Sequence, residues 1–68
     1  MRDLLQFLIE DIKELENRYN GYAPFNILLL DLDDNGYNDI NTIKNGLNEL
    51  INKNIIEKID NNYYRSCY

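Results

Sequence analysis

Apolar residues recur at helical spacing in two long segments of the chain. In residues 3–19 they fall within one arc of about 140° on a helical wheel, and acidic residues occupy much of the remainder. In residues 39–53 the isoleucines and leucines are spaced i, i+3, i+7, i+10 and i+11. Both patterns predict amphipathic helices. Gly46 interrupts the second one, which indicates close approach by another helix, and Asn54 can end it in the left-handed conformation.

Phe7 does not fit the apolar arc of the first segment. It lies more than about 120° from the centre of that arc, among the charged residues. We therefore expect an exposed aromatic ring, and its alternative role is a contact with a partner or with a second copy of the chain.

The segments between and after these helices are shorter. Pro24 precedes the run FNILLLDL, which is apolar nearly all round and predicts a short buried helix, although periodicity alone also allows a strand. Near the C-terminus two β-prone runs flank Asn61-Asn62, which predicts a hairpin. A two-residue turn there would place Ile59 opposite Tyr64, Lys58 opposite Arg65, and Ile56 opposite Cys67. The stretch DLDDNGYND is expected to be a polar break.

These elements define the expected fold. Residues 1–68 form a single α+β domain, mostly helical, in which three helices are followed by a C-terminal two-stranded β-hairpin. A lone hairpin is marginally stable in water, so it must pack on the helices.

The segment TIKNGLNELINKNIIEKIDNNYYR resembles the winged-helix branch of the helix-turn-helix superfamily, and the resemblance extends over residues 24–68. It implies a third helix that lies in the DNA major groove and a hairpin wing that reaches toward phosphate. Carried over by position, the outward helix residues are Asn41, Lys44, Asn45, Asn48 and Asn52, and those on the wing are Lys58 and Arg65.

The four asparagines of that helix form one strip opposite the apolar stripe. An asparagine amide can form a bidentate pair with adenine, and neutral amides also suit a protein contact because they are easier to dehydrate than charges. The third interpretation is a solvent-facing surface that reflects only a composition rich in asparagine.

The net charge is −5, and the charged residues are distributed unevenly along the chain. Residues 1–35 hold eight acids against three bases, whereas residues 36–68 hold four of each. Phosphate backbones repel an acidic protein at long range, and basic protein surfaces attract it. Glu10, Asp11 and Glu14 of the first helix are therefore candidate contacts to a basic partner.

The aspartate-rich stretch partly matches a calcium loop. Asp31, Asp33, Asn35 and Asp39 stand at positions 1, 3, 5 and 9, but position 12 is Thr42 rather than a bidentate glutamate. A plain polar loop with a capping residue is the preferred interpretation, and a calcium site is the alternative.

Little supports catalysis or a cofactor. The chain has no histidine, and its single cysteine, Cys67, is expected to be a small strand hydrophobe. No apolar run approaches the roughly 20 residues that span a bilayer, and a lone cysteine suits a reducing compartment, so we expect a cytoplasmic protein that contacts no membrane.

Two functions follow as expectations. The first is a non-catalytic, acidic regulator or inhibitor that binds a basic protein surface. In size and charge the chain looks like small phage-encoded inhibitors such as anti-CRISPR proteins. The second is a winged-helix DNA-binding transcriptional regulator, which could form a homodimer through the first helix.

Overall fold

The structure is a computed structural model that describes residues 3–67. It contains three helices and a three-stranded antiparallel sheet in the strand order β1-β3-β2. In chain order the elements are α1 (Leu4–Arg18), β1 (Ala23–Pro24), α2 (Phe25–Asp34), α3 (Ile40–Asn52), β2 (Ile56–Asp60) and β3 (Tyr63–Ser66). The predicted α+β class, the three helices and the hairpin are confirmed, and β1 extends the hairpin to a third strand.

Side-chain caps explain where two of the helices begin. The Asp3 carboxylate accepts a 2.8 Å hydrogen bond from the backbone N–H of Gln6, and that of Asp39 accepts one of 3.0 Å from Asn41. Each cap satisfies a backbone donor that has no partner within the helix. After α3, Asn54 adopts a φ of 61°, which is the left-handed conformation that the sequence predicted.

The hydrophobic core lies where α1 packs against α3, α2 and the sheet. Leu8, Ile12 and Leu15 of α1 are fully buried, and they form a cluster with the residues Leu28, Leu32, Ile43, Leu47, Leu50, Ile56 and Tyr64. Gly46 faces α1 closely, because a Cβ atom at that position would lie 3.1 Å from Leu8 Cδ1. The predicted close approach of another helix at this glycine is confirmed.

The hairpin keeps the predicted turn but not the predicted register. Asp60 lies opposite Tyr63 across Asn61-Asn62, as a two-residue turn requires. A bulge between Lys58 and Asp60 then shifts the pairing by one residue. The consequence is that Lys58 lies opposite Tyr64, Glu57 opposite Arg65 and Ile56 opposite Ser66, so the predicted pairs were wrong. Cys67 lies beyond β3 and is exposed, which corrects its assignment to the strand.

Strand β1 comes from a stretch that the sequence pattern indicated only as a break. Ala23 pairs with Tyr64 and Pro24 with Tyr63. Proline has no N–H to donate, and it is tolerated here because β1 is an edge strand. The N–H of Phe25 donates a 2.7 Å hydrogen bond to the carbonyl of Asn62, so the start of α2 is held against the hairpin turn.

The prediction that Phe7 is exposed was wrong. Its side chain is only 8% exposed, and its ring centroid lies 5.7 Å from that of Tyr37. The segment that follows α2 brings Tyr37 against this side of α1, so the buried surface of α1 is wider than the apolar arc. Its alternative role as a partner contact stays a prediction.

A membrane-spanning helix is not found in residues 3–67, because none of the helices there has the necessary length and apolar character.

Candidate functional site

Five carboxylates from two helices line one open cleft with a volume of about 320 Å³, which we call the acidic cleft. Its carboxylates are Glu10, Asp11 and Glu14 of α1 together with Asp31 and Asp34 of α2. The structure therefore brings all three predicted acids of α1 together, and it adds two aspartates that the sequence analysis had assigned to a polar break. Phe7, Arg18 and Asn35 complete the lining.

Asp11 differs from its neighbours because it is buried. Its side chain is only 8% exposed, which corrects the expectation of an exposed contact residue. Within residues 3–67 its Oδ2 atom has no hydrogen-bond partner. A buried polar atom without a partner is uncommon in native structures and requires an explanation.

The ionisation of Asp11 reflects this environment. Burial of the carboxyl is the main cause that raises the pKa of Asp11 from 3.8 to about 7, and a hydrogen bond to Asp31 adds to the effect. The negative charges of Asp31 and Glu14 act in the same direction, whereas Arg18 opposes them. At neutral pH the Asp11 carboxyl is therefore close to half protonated.

Arg18 is the basic residue of the cleft, and it is already engaged. Its guanidinium forms a 2.8 Å salt bridge with Glu14 one helical turn away. Both side chains are more than half exposed, so the pair contributes little to stability. Since one guanidinium faces five carboxyl groups, the cleft retains an excess of negative charge.

The four residues of the calcium-loop alternative do not lie on one loop. Asp31 and Asp33 lie within α2, where residues two apart do not face each other. The Asn35 amide donates a 2.8 Å hydrogen bond to the Asp31 carbonyl, and Asp39 caps α3. Across the described part of the chain, no three acidic or thiol side chains are grouped closely enough to hold a metal ion.

A second surface lies between α3 and the hairpin. Lys44 and Asn48 of α3 line a groove of about 350 Å³ together with Lys58 and Asn61, and Phe25 and Tyr64 complete it. We call it the amide–lysine groove. Neither lysine forms an ion pair with any residue from 3 to 67. The asparagine strip of Asn41, Asn45, Asn48 and Asn52 is exposed, as predicted.

Arg65 is not brought to this groove. The bulge in β2 places Arg65 opposite Glu57, and the two side chains form a salt bridge. Lys58 instead lies opposite Tyr64 and lines the groove. The predicted wing residues therefore separate, and only Lys58 joins the candidate residues of α3.

An aromatic hollow was missed by the sequence analysis. It has a volume of about 770 Å³ and lies between the end of α1, the start of α2 and the hairpin. Four of its lining residues are about 40% exposed, namely Tyr19, Tyr22, Ile59 and Tyr63. The tyrosines on either side of Asn20-Gly21 were the available signal, but only the fold shows that Tyr63 lies beside them.

Comparison with known proteins adds no family assignment. No protein-family model matches the chain, and no curated protein is significantly similar to it. The case for function therefore depends on the two charged surfaces.

Proposed function

We propose that this protein is a non-catalytic regulator or inhibitor, and that its acidic cleft binds the basic surface of a protein partner. The observation that carries the proposal is the convergence of five carboxyl groups from α1 and α2 on one cleft. Folding alone does not favour this arrangement, because like charges that line the same cleft repel one another. A cationic partner would relieve that repulsion.

Electrostatic attraction gives such a surface a specific use. A concentrated negative patch steers a basic partner into a productive encounter and raises the association rate. Proteins that bind nucleic acids carry basic surfaces of this kind. An acidic protein of 68 residues could mask such a surface, and we propose this as the mode of inhibition.

We also propose that the domain has the winged-helix arrangement. The order of helices and strands supports this proposal, as does the third strand that joins the hairpin to the start of α2. Under this proposal the scaffold presents α3 and the hairpin on one surface, and α1 and α2 supply the acidic cleft separately.

Two double variants of equal net charge test the proposed cleft. Glu14→Gln with Asp34→Asn removes two cleft carboxylates. Asp33→Asn with Glu49→Gln removes two exposed carboxylates outside the cleft, and in both variants one of the removed groups was paired within a helix. We expect the first variant to bind a fluorescent hexa-arginine peptide about tenfold more weakly at 50 mM salt, and the control to change little. Equal weakening in both would leave net charge alone as the cause.

DNA binding is the second candidate function, and the amide–lysine groove favours it. Two lysines that form no ion pair within residues 3–67, beside an exposed strip of amides, are suited to phosphate and base contacts. Here Lys44→Ala with Lys58→Ala should reduce the steepness of log K against log salt concentration for duplex binding by about one for each lost phosphate contact. The matched control is Lys53→Ala with Arg65→Ala, since both of those residues pair with acids outside the groove. Absence of binding to a 20-base-pair duplex at 50 mM salt would rule out this function.

A further inference from the structure

The acidic cleft contains one carboxyl group whose environment differs from that of the others. Asp11 is nine-tenths buried, lines the cleft, and has an Oδ2 atom without a hydrogen-bond partner within residues 3–67. A general electrostatic patch does not require a buried carboxyl, because exposed acids provide the same long-range attraction. Asp11 therefore indicates a more local contact.

The neighbouring groups define what such a contact must supply. From α1, Glu14 and Arg18 face Asp11, and from α2, Asp31 faces it. Arg18 is held in its salt bridge with Glu14. The Asp11 and Asp31 carboxyls are thus hydrogen-bonded to each other, and neither forms a salt bridge with a basic side chain among the described residues.

We infer that Asp11 and Asp31 form a socket for an arginine side chain of the protein partner. This inference rests on the proposed function and specifies the chemistry of the contact. A guanidinium has five N–H donors in a fixed plane, so it can bridge two carboxyl groups and supply the missing partner of Asp11. Both residues line the acidic cleft, which is the side from which a guanidinium would approach them.

Arginine suits the socket better than the other common cations. A lysine ammonium is a compact, strongly hydrated charge, so it loses more hydration than a guanidinium when it enters a partly buried site. A bare metal ion needs several ligands at short range, and no such group of acidic or thiol residues is found in the described chain. We therefore expect hexa-arginine to bind more tightly than hexa-lysine.

The socket also predicts a pH dependence of binding. Asp11 titrates near neutral pH, and the guanidinium binds its ionised form. The fraction of the protein with an ionised Asp11 falls from about nine-tenths at pH 8 to about one-tenth at pH 6. The affinity for the peptide should therefore fall about tenfold over that range. The charge of the peptide is constant there, because arginine stays protonated.

Fluorescence anisotropy of labelled hexa-arginine, measured at pH 8 and pH 6 in 50 mM salt, tests the inference. Asp11→Asn should weaken binding about tenfold at pH 8 and remove the pH dependence. The control Asp34→Asn removes the same charge from a more exposed part of the cleft, and it should keep the tenfold pH dependence. Thermal melts of both variants confirm that they are folded.

The outcomes separate the socket from the wider proposal. If hexa-arginine binds the wild-type protein but Asp11→Asn keeps the pH dependence or behaves like Asp34→Asn, the socket is wrong and an unspecific acidic cleft remains. Equal affinity for hexa-arginine and hexa-lysine would likewise contradict the socket and leave an unspecific acidic cleft. If neither peptide binds at 50 mM salt, both the socket and the proposed function are overturned.

Discussion

The carboxyl of Asp11 lies on the buried side of α1 and faces Asp31, where ionisation is unfavourable. Its pKa of about 7 in the folded protein exceeds the ordinary value of 3.8. Between these two values the folded state binds the proton more strongly than the unfolded state does. The contribution of Asp11 to the free energy of unfolding therefore falls as the pH rises from about 4 to 7, and the penalty is complete above pH 7.

Asp11→Asn should stabilise the protein at pH 8. The amide has nearly the same shape as the carboxyl, carries no charge and resembles its protonated form. We expect the free energy of unfolding at pH 8 to rise by about 1–2 kcal/mol, a value reduced from the full linkage energy because the cleft is open to water. Urea denaturation at pH 5 and pH 8 provides the measurement.

The pH comparison also supplies the control for this prediction. At pH 5 the carboxyl is protonated in the folded wild type but mostly ionised in the unfolded chain, so the variant should still be more stable, by a smaller margin than at pH 8. A variant that is destabilised at pH 8 would show that the Asp11 carboxylate stabilises the fold. In that case the burial of Asp11 would be explained by its contribution to folding, without a role in partner binding.

Phe7 shows how far a helical wheel can predict burial at single residues. The wheel correctly identified Leu8, Ile12 and Leu15 as core, because their common face carries most of the apolar area of α1. It placed Phe7 in solvent, since nothing in the periodicity of α1 indicates where Tyr37 will pack. The same limit applies to Asp11, whose burial depends on the position of α2.

At the scale of elements, the contact between α1 and α3 depends on Gly46. Gly46→Val should destabilise the protein by about 2–3 kcal/mol, because its side chain would overlap Leu8 and Leu5 and force the helices apart. Gly46→Ala is the control. Its Cβ lies 3.1 Å from a leucine methyl group, and the better helix propensity offsets that contact to within about 1 kcal/mol. Urea denaturation of both variants measures the difference, and equal stabilities would contradict a tight interface.

The hairpin separates what local sequence determines from what packing determines. Asn61-Asn62 predicted the turn because both residues tolerate turn conformations. The register depended on the bulge at residues 58–60, which no local sequence pattern predicted. Ile56, Tyr64 and Ser66 are buried in this register, and Ser66 Oγ donates a 3.1 Å hydrogen bond to Glu16 of α1. Contacts with α1 are therefore part of what fixes the pairing.

At the scale of the whole molecule, the sequence predicted an acidic first half but not an acidic cleft. Residue counts show where the charges lie along the chain, and α1 alone accounts for Glu10 and Glu14. The cleft exists because α2 packs beside α1 and adds Asp31 and Asp34. The amide–lysine groove has a similar origin, since it combines residues of α3 with Lys58 across the shifted hairpin.

The excess of negative charge should make the stability of the whole domain depend on salt. The net charge is −5, and the acidic cleft concentrates carboxylates whose mutual repulsion opposes folding. Salt screens that repulsion, because the Debye length falls from about 30 Å at 0.01 M to about 10 Å at 0.1 M. We therefore expect the melting temperature at pH 8 to rise by several degrees when sodium chloride is increased from 10 to 300 mM.

The two charge-matched double variants assign this salt effect to a place in the molecule. Glu14→Gln with Asp34→Asn should raise the melting temperature at 10 mM salt and reduce its further rise, because the repulsion within the cleft is weaker. Asp33→Asn with Glu49→Gln removes the same amount of negative charge but leaves the cleft intact, so it should keep most of the wild-type salt response. Differential scanning calorimetry measures both. An identical response in the two variants would mean that the repulsion is spread over the whole surface. The cleft would then not be the main concentration of negative charge, and the proposed binding of a basic partner there would lose its physical basis.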